Sequence, residues 1–310
     1  MTEWTQHIRA AAQALKPHVR ETSVLRRYHV GASVGIELKF EHMQHMGNFK
    51  VRGAMNTLLH GDIPPAGVVA ASGGNHGAAV AFAAKNLGVP AHIFVPELAG
   101  PTKIDLIKST GADLTVVAGQ YVNALDAAMA YAKDTGAMQI HAYDAPQTVV
   151  GQGTLFAEWQ EQGLEADTLL IAVGGGGLIA GALAWFGASK KIVAVEPETC
   201  ATLNGALLAG APVDVPVSGV AVNALGAKRI GSICFDLATR YNTPSVLVSD
   251  DDILRAQATL WQDLRQYVEP AGATALAALT SGAYIPAPGE KVAVLVCGAN
   301  PNDLPKITML

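Results

Sequence analysis

The run TLLIAVGGGGLIAGALAWFGAS (residues 168–189) decides how this chain reads. It carries no charge and is long enough to suggest a membrane span. Four consecutive glycines in its middle argue against that, because glycine weakens a continuous helix. The flanks read better as a short buried strand, LLIAV (169–173), followed by a helix. A glycine-rich turn from strand to helix lets the backbone approach an anion, and the helix start adds free N–H groups and a positive dipole end. VGGGGLIAG (173–181) therefore points to a phosphate site. The plainer reading is a tight turn, which rarely needs four glycines. The kind of ligand stays open locally: Gly175, Gly177 and Ala180 satisfy the G-x-G-x-x-A dinucleotide pattern, and Glu196 ends the next strand.

The same rhythm repeats outward. VVAA (68–71), HIFV (92–95), LTVV (114–117), MQIHA (138–142), IVAVE (192–196), SVLV (245–248) and VAVLVC (292–297) are short apolar runs separated by helical stretches. Upstream, Trp4, Ile8, Ala11, Ala12 and Leu15 recur at helical spacing and stop at Pro17; Val34, Ile36, Leu38 and Phe40 alternate as a strand does; Lys50 opens a helix. Strands alternating with amphipathic helices predict an α/β fold built on an open, mostly parallel sheet. Ligands in such sheets sit at the carboxyl ends of strands. Residues 67–143 are expected to form a smaller α/β unit inserted in a larger one made of 1–66 and 144–310.

Composition narrows the function. Of 310 residues, 50% are apolar and 15% charged, which supports a large core. A net charge of −5 with no basic block argues against nucleic acid. Cys200, Cys234 and Cys297 are scattered, so neither a disulfide framework nor structural zinc is expected. The first residues lack an apolar signal core, so a reducing cytoplasm is the default, with no membrane partner.

Three further stretches carry chemistry. ASGGNHGAAVAFAAKNLG (71–88) follows a strand, and Ser72, Asn75 and His76 crowd beside glycines there. Exposed N–H groups, a hydroxyl and an amide suit a carboxylate or a phenolic oxygen; the alternative is a simple helix cap. In MGNFKVRGAMNTLL (46–59), Lys50 lies in a first helical turn among apolar neighbours. That setting lowers an amine's pKa and favours the neutral form that Schiff-base chemistry needs, although this stretch alone is also what a surface lysine would give. In VAVLVCGANPND (292–303), Cys297 ends a buried strand, as an inert core thiol or as a ligand contact.

Together these segments resemble the fold type II pyridoxal-phosphate (PLP) enzymes, and within them the serine/threonine dehydratase group that includes threonine ammonia-lyase and serine racemase. YDAPQTVVGQGTLFAE (143–158), AVEPE (194–198) and VEPAGATALAAL (268–279) add to the match, in the family's order over almost the full length. The resemblance implies a tryptophan synthase β-like architecture with the cofactor between two open twisted α/β domains, the larger binding the cofactor and the smaller the substrate. It implies that Lys50 carries PLP as a Schiff base, with Phe49 beside the ring, and that Asn75 hydrogen-bonds its phenolic oxygen. Ser72, Gly73, His76 and Gly77 would hold the substrate carboxylate. Gly174, Gly175, Gly176 and Gly177, with Leu178, would cradle the phosphate, and Cys297 would face the pyridine nitrogen. A neutral thiol there makes a weaker electron sink, which suits β-elimination. The implied reaction takes a small β-hydroxy amino acid such as L-threonine or L-serine. The freed Lys50 amine removes the Cα proton, the β-hydroxyl leaves with a proton from the cofactor phosphate, and the product hydrolyses to a 2-oxo acid and ammonia. A homodimer is expected by resemblance.

Departures from the family pattern are informative. Gly73 stands where serine racemase has a second serine, so racemisation is not expected as the main activity. Glu196 and the Cys200 carbonyl match a cation site, but Thr202 replaces its aspartate, a poor hard-cation set; no metal is expected. Gly47-Asn48-Phe49-Lys50 replaces the usual Gly-Ser-Phe-Lys. The chain ends soon after the Cys297 stretch, so isoleucine feedback through a regulatory domain is not expected. The competing readings are β-replacement, as in cysteine synthase, a dinucleotide-dependent oxidoreductase, and a non-catalytic binding protein on this fold.

Overall fold

The computed structural model describes residues 2–30, 34–119 and 121–300. Residues 301–303, the end of the Cys297 stretch, lie outside these. In chain order the strands are β1 (Val24–Val30), β2 (Val34–Phe40), β3 (Val68–Ala71), β4 (Ala91–Pro96), β5 (Asp113–Val117), β6 (Met138–Gln139), β7 (Thr168–Ala172), β8 (Lys191–Pro197), β9 (Ser245–Val248) and β10 (Val292–Val296). The helices are α1 (Glu3–Leu15), α2 (Lys50–His60), α3 (Asn75–Leu87), α4 (Pro101–Lys108), α5 (Tyr121–Thr135), α6 (Pro146–Glu161), α7 (Gly177–Phe186), α8 (Thr202–Ala209), α9 (Val222–Leu225), α10 (Ser232–Arg240), α11 (Asp250–Leu264) and α12 (Pro270–Thr280).

Two sheets result. One has the order β1-β2-β10-β7-β8-β9 and the other β5-β4-β3-β6. Every pairing is parallel except β1 with β2. The continuous burial of β3, β7 and β10 is what a sheet covered by helices on both faces requires. The six-stranded sheet packs in one apolar core and the four-stranded sheet between two, and Val51, Ala54, Met55 and Leu58 of α2 pack into one of the latter. No helix among the described residues is long and apolar enough to cross a bilayer; the glycine-rich run folds as β7, a turn and α7.

Two strands differ from the sequence expectation. The alternation of VLRRYHV is broken by an irregularity between Leu25 and Tyr28, where Arg27 is left-handed at φ 59°, so β1 does not show as a period of two. MQIHA reads as a five-residue strand, yet only Met138 and Gln139 pair. Beyond them the carbonyls are taken by side chains: Ile140 O by His76 Nε2 (2.9 Å), His141 O by Thr148 Oγ1 (3.1 Å) and Ala142 O by Lys50 Nζ (3.2 Å).

Candidate active site

The loops that carry the sequence candidates leave the carboxyl ends of β2, β3, β7 and β10. A cavity lies where they meet. Phe49, Lys50, Asn75, the four glycines Gly174 to Gly177, Leu178 and Cys297 all line it. Four stretches separated by up to about 250 residues in the chain thus form one wall. Roomier surface clefts beside α1 and beside the β8–β9 edge contain none of these loops.

Lys50 is positioned by a strained turn. Met46 and Gly47 are left-handed, at φ 55° and 68°. Asn48 then runs extended and bridges Gly298, while Phe49 N donates to Cys297 O (3.2 Å) and Ala299 N to Gly47 O (2.8 Å). Asn48 Oδ1 accepts from Lys50 N (3.0 Å), so the asparagine that replaces the family's serine caps the start of α2. The side chain of Lys50 is largely enclosed, and burial lowers its pKa to about 8 despite the nearby Cys297 and Glu269.

The glycine loop is a cradle of unused donors. Its carbonyls are anchored: Gly174 O by Thr202 Oγ1 (2.6 Å), Gly175 O by Gly231 N (3.1 Å) and Gly176 O by Ala180 N (2.9 Å). Among the described residues, the amides of Gly174 to Gly177 donate to no protein acceptor. Side chains are excluded by contact: a Cβ on Gly174 would sit 2.8 Å from Leu225 Cα, one on Gly175 would overlap the Tyr143 ring, and Gly176 is at φ 92°. Four free N–H groups at a helix start fit a phosphate. The cavity's lysine, amide and buried thiol fit the remainder of PLP.

Ser72, Gly73, His76 and Gly77 flank Asn75 without lining this cavity. Ser72 Oγ accepts from Gly74 N (3.1 Å). His76 is buried, and burial together with Lys50 lowers its pKa to about 3, so it is neutral. Because a carbonyl only accepts, its Nε2 carries the hydrogen given to Ile140 O, and Nδ1 is left as an acceptor. Gly73 has no room for a side chain; its Cβ would overlap that of Ala99. Cys297, 2% exposed, is a neutral thiol raised to about 12 by burial and Glu269.

Among the residues of the wall that sequence reasoning missed, Tyr143 and Glu269 carry polar groups. Glu269 precedes α12, a helix of small apolar residues, but does not cap it. Its Oε1 accepts from Asn75 Nδ2 at 2.5 Å, and burial raises its pKa to about 7. A carboxylate before a proline-started apolar helix was the only signal. Glu196, at the possible cation position, accepts from Leu203 N (2.7 Å), Asn204 N (2.8 Å) and Ser245 Oγ (2.7 Å), so its oxygens tie the start of α8 to β9.

Comparison with known proteins agrees with this geometry. Residues 15–298 match the family model described as pyridoxal-phosphate dependent enzyme. The chain is 33% identical to a phenylserine dehydratase of Ralstonia pickettii, over 92% of this chain and 90% of that one. It is 33% identical to an L-threonine ammonia-lyase of Geobacter sulfurreducens, over 94% and 74% of the two chains. The structure of maize serine racemase superposes with a TM-score of 0.90 at 31% identity, covering 96% and 93%. The α/β fold is therefore fold type II, and the chain belongs to the family of pyridoxal-phosphate dependent enzymes.

Proposed function

We propose that this protein is a PLP-dependent ammonia-lyase that converts a small β-hydroxy amino acid, such as L-threonine or L-serine, to a 2-oxo acid and ammonia. The observation that carries this is the single cavity shared by Lys50, Asn75, the donor-rich glycine loop and Cys297. Lys50, Phe49, Asn75, Gly174 to Gly177, Leu178 and Cys297 hold the cofactor in this reading. Bound there, PLP supplies the electrophilic carbonyl that takes up an amino group and the conjugated ring that accepts the electron pair released at Cα.

The protein's own part follows from its geometry. With a pKa near 8, roughly a tenth of the Lys50 amine is neutral at pH 7, against well under a thousandth at the ordinary value. That neutral fraction makes Lys50 Nζ both the attachment point and the base that takes the Cα proton. Ser72, Gly73, His76 and Gly77 orient the substrate carboxylate through the loop at the start of α3, and His76 adds no charge because it is neutral. Loss of the β-hydroxyl as water leaves an enamine that hydrolyses to the 2-oxo acid and ammonia. Position 73 offers no proton donor for the opposite face of Cα, which favours elimination over racemisation.

Residues 67–143 act as the substrate-binding unit in this account, and 1–66 with 144–310 as the cofactor-binding unit. A cytoplasmic homodimer is the proposed setting; three buried free cysteines suit a reducing compartment. The test is a panel of L-serine, L-threonine, 3-phenylserine and 3-hydroxyaspartate scored for 2-oxo acid and ammonia. At least one should turn over, with equal yields of both products and at least about a thousandfold loss in Lys50→Ala. Sulfide-dependent amino acid formation exceeding ammonia release would oppose the proposal.

A further inference from the structure

Asn75 donates through Nδ2 to Glu269 Oε1 (2.5 Å), while its Oδ1 accepts from Asn300 Nδ2 (2.7 Å). Asn300 Nδ2 also donates to Met46 O (2.7 Å). A carboxamide's two ends are nearly equal in shape, so only its partners fix which way round it lies. Here the chain of partners has one solution. Met46 O is a carbonyl and only accepts, so the NH2 of Asn300 faces it. The second hydrogen of that NH2 reaches Asn75, whose oxygen must therefore face Asn300. The NH2 of Asn75 then points to Glu269, which spends one hydrogen and leaves the other available on the cavity side. The chain begins at the left-handed Met46, and Gly47 keeps Asn300 close: a Cβ there would sit 2.8 Å from Asn300 Oδ1.

The geometry points to Glu269 and Asn300 as positioning residues that lock the Asn75 carboxamide with its NH2 towards the cofactor cavity. This rests on reading that cavity as the PLP site. Glu269 is 3% exposed, and its side chain forgoes capping α12 to reach Asn75. Lys103 of α4 is also buried and lies within electrostatic reach of Glu269, as does Lys50; both favour the carboxylate. Reversing the Asn75 amide would set its oxygen against that carboxylate and its NH2 against the NH2 of Asn300. An acceptor oxygen in the cavity, such as the phenolic oxygen of PLP, thus meets a donor already aimed at it.

Cofactor affinity of the apoprotein, read by absorbance during PLP titration, tests the lock. Asn300→Ala and Glu269→Ala should each weaken PLP binding about tenfold, the effect of one mispaired buried polar group. Glu269→Gln keeps an acceptor for Asn75 and should stay within about threefold of wild type. Asn300→Asp, which cannot donate, should be at least as weak as Asn300→Ala. If both residues act through Asn75, adding Asn300→Ala to an Asn75→Ala protein should cost less than about twofold more. Unchanged affinity in Asn300→Ala, or an undiminished effect in the Asn75→Ala background, would overturn the inference. If Glu269→Ala does not fold, the two Asn300 variants and the double variant carry the same test. A wild-type protein that takes up no PLP would instead overturn the proposed function.

Discussion

Burying an amine costs far more while it is charged than when it is neutral, and this sets the energetics of Lys50. Its pKa falls from 10.5 to about 8, so between those values the unfolded chain holds more protons than the folded one. Stability therefore rises with pH across that window, and below about 8 the full penalty applies, up to about 3 kcal/mol. Lys50→Met should stabilise the cofactor-free protein at pH 7 by up to about that amount, and the gain should fade as pH approaches 10.5. Urea unfolding of both proteins at pH 7 and pH 10 measures it. An equal gain at both pH values would mean that ordinary packing, not the charge, is responsible. The role proposed for Lys50 could be read in the sequence only together with its partners. Its depressed pKa followed from apolar neighbours, but Glu269 and Asn300 were not visible, because their contacts with Asn75 join residues 194 and 225 positions apart.

The element that carries Lys50 is held by close backbone contact with α6. A Cβ on Gly151 would lie 2.5 Å from Arg52 O, 2.6 Å from Gly53 Cα and 2.8 Å from Asn56 Cβ. Only hydrogen fits between these two helices, so GQG (151–153) is a packing feature as much as a family signature. Gly151→Ala should destabilise the fold by about 1–3 kcal/mol and push α2 away from α6. A lower thermal midpoint accompanied by weaker PLP binding would show both effects; an unchanged midpoint would mean that the helices part freely. At this scale the sequence was mostly readable. Buried parallel strands are compact apolar runs, and the loops after β3, β7 and β10 were placed correctly. β1 was hidden by its irregularity, and β6 was overdrawn because apolar residues continue after the site side chains have taken the backbone carbonyls.

The whole molecule has to keep its other buried amines and guanidiniums from competing with Lys50. Lys39 on β2 is fully buried, but its Nζ donates to Glu158 (2.5 Å), Thr22 O (2.8 Å) and Gln162 (2.7 Å). Arg52, two residues after Lys50, pairs with Glu41 (2.6 Å) and with the same Glu158 (2.7 Å). This network ties β2, α2 and α6 together; removing one member would strand a buried charge, which is strongly destabilising. Burial alone would raise Glu158, but Arg52 and Lys39 outweigh it and hold the carboxylate below its usual range. The pairings with Glu158 and Gln162 were not legible in the sequence, since they join residues more than a hundred positions apart. Lys39 is engaged in full and Lys103 does not line the cavity, whereas Lys50 does, so Lys50 is the lysine placed to react in the proposed function. Borohydride reduction of the PLP-loaded protein, followed by peptide mapping, tests this most directly. A stable pyridoxyl label is predicted on the Lys50 peptide and absent from those containing Lys39 and Lys103; label fixed on another lysine, with Lys50 unmodified, would contradict the account.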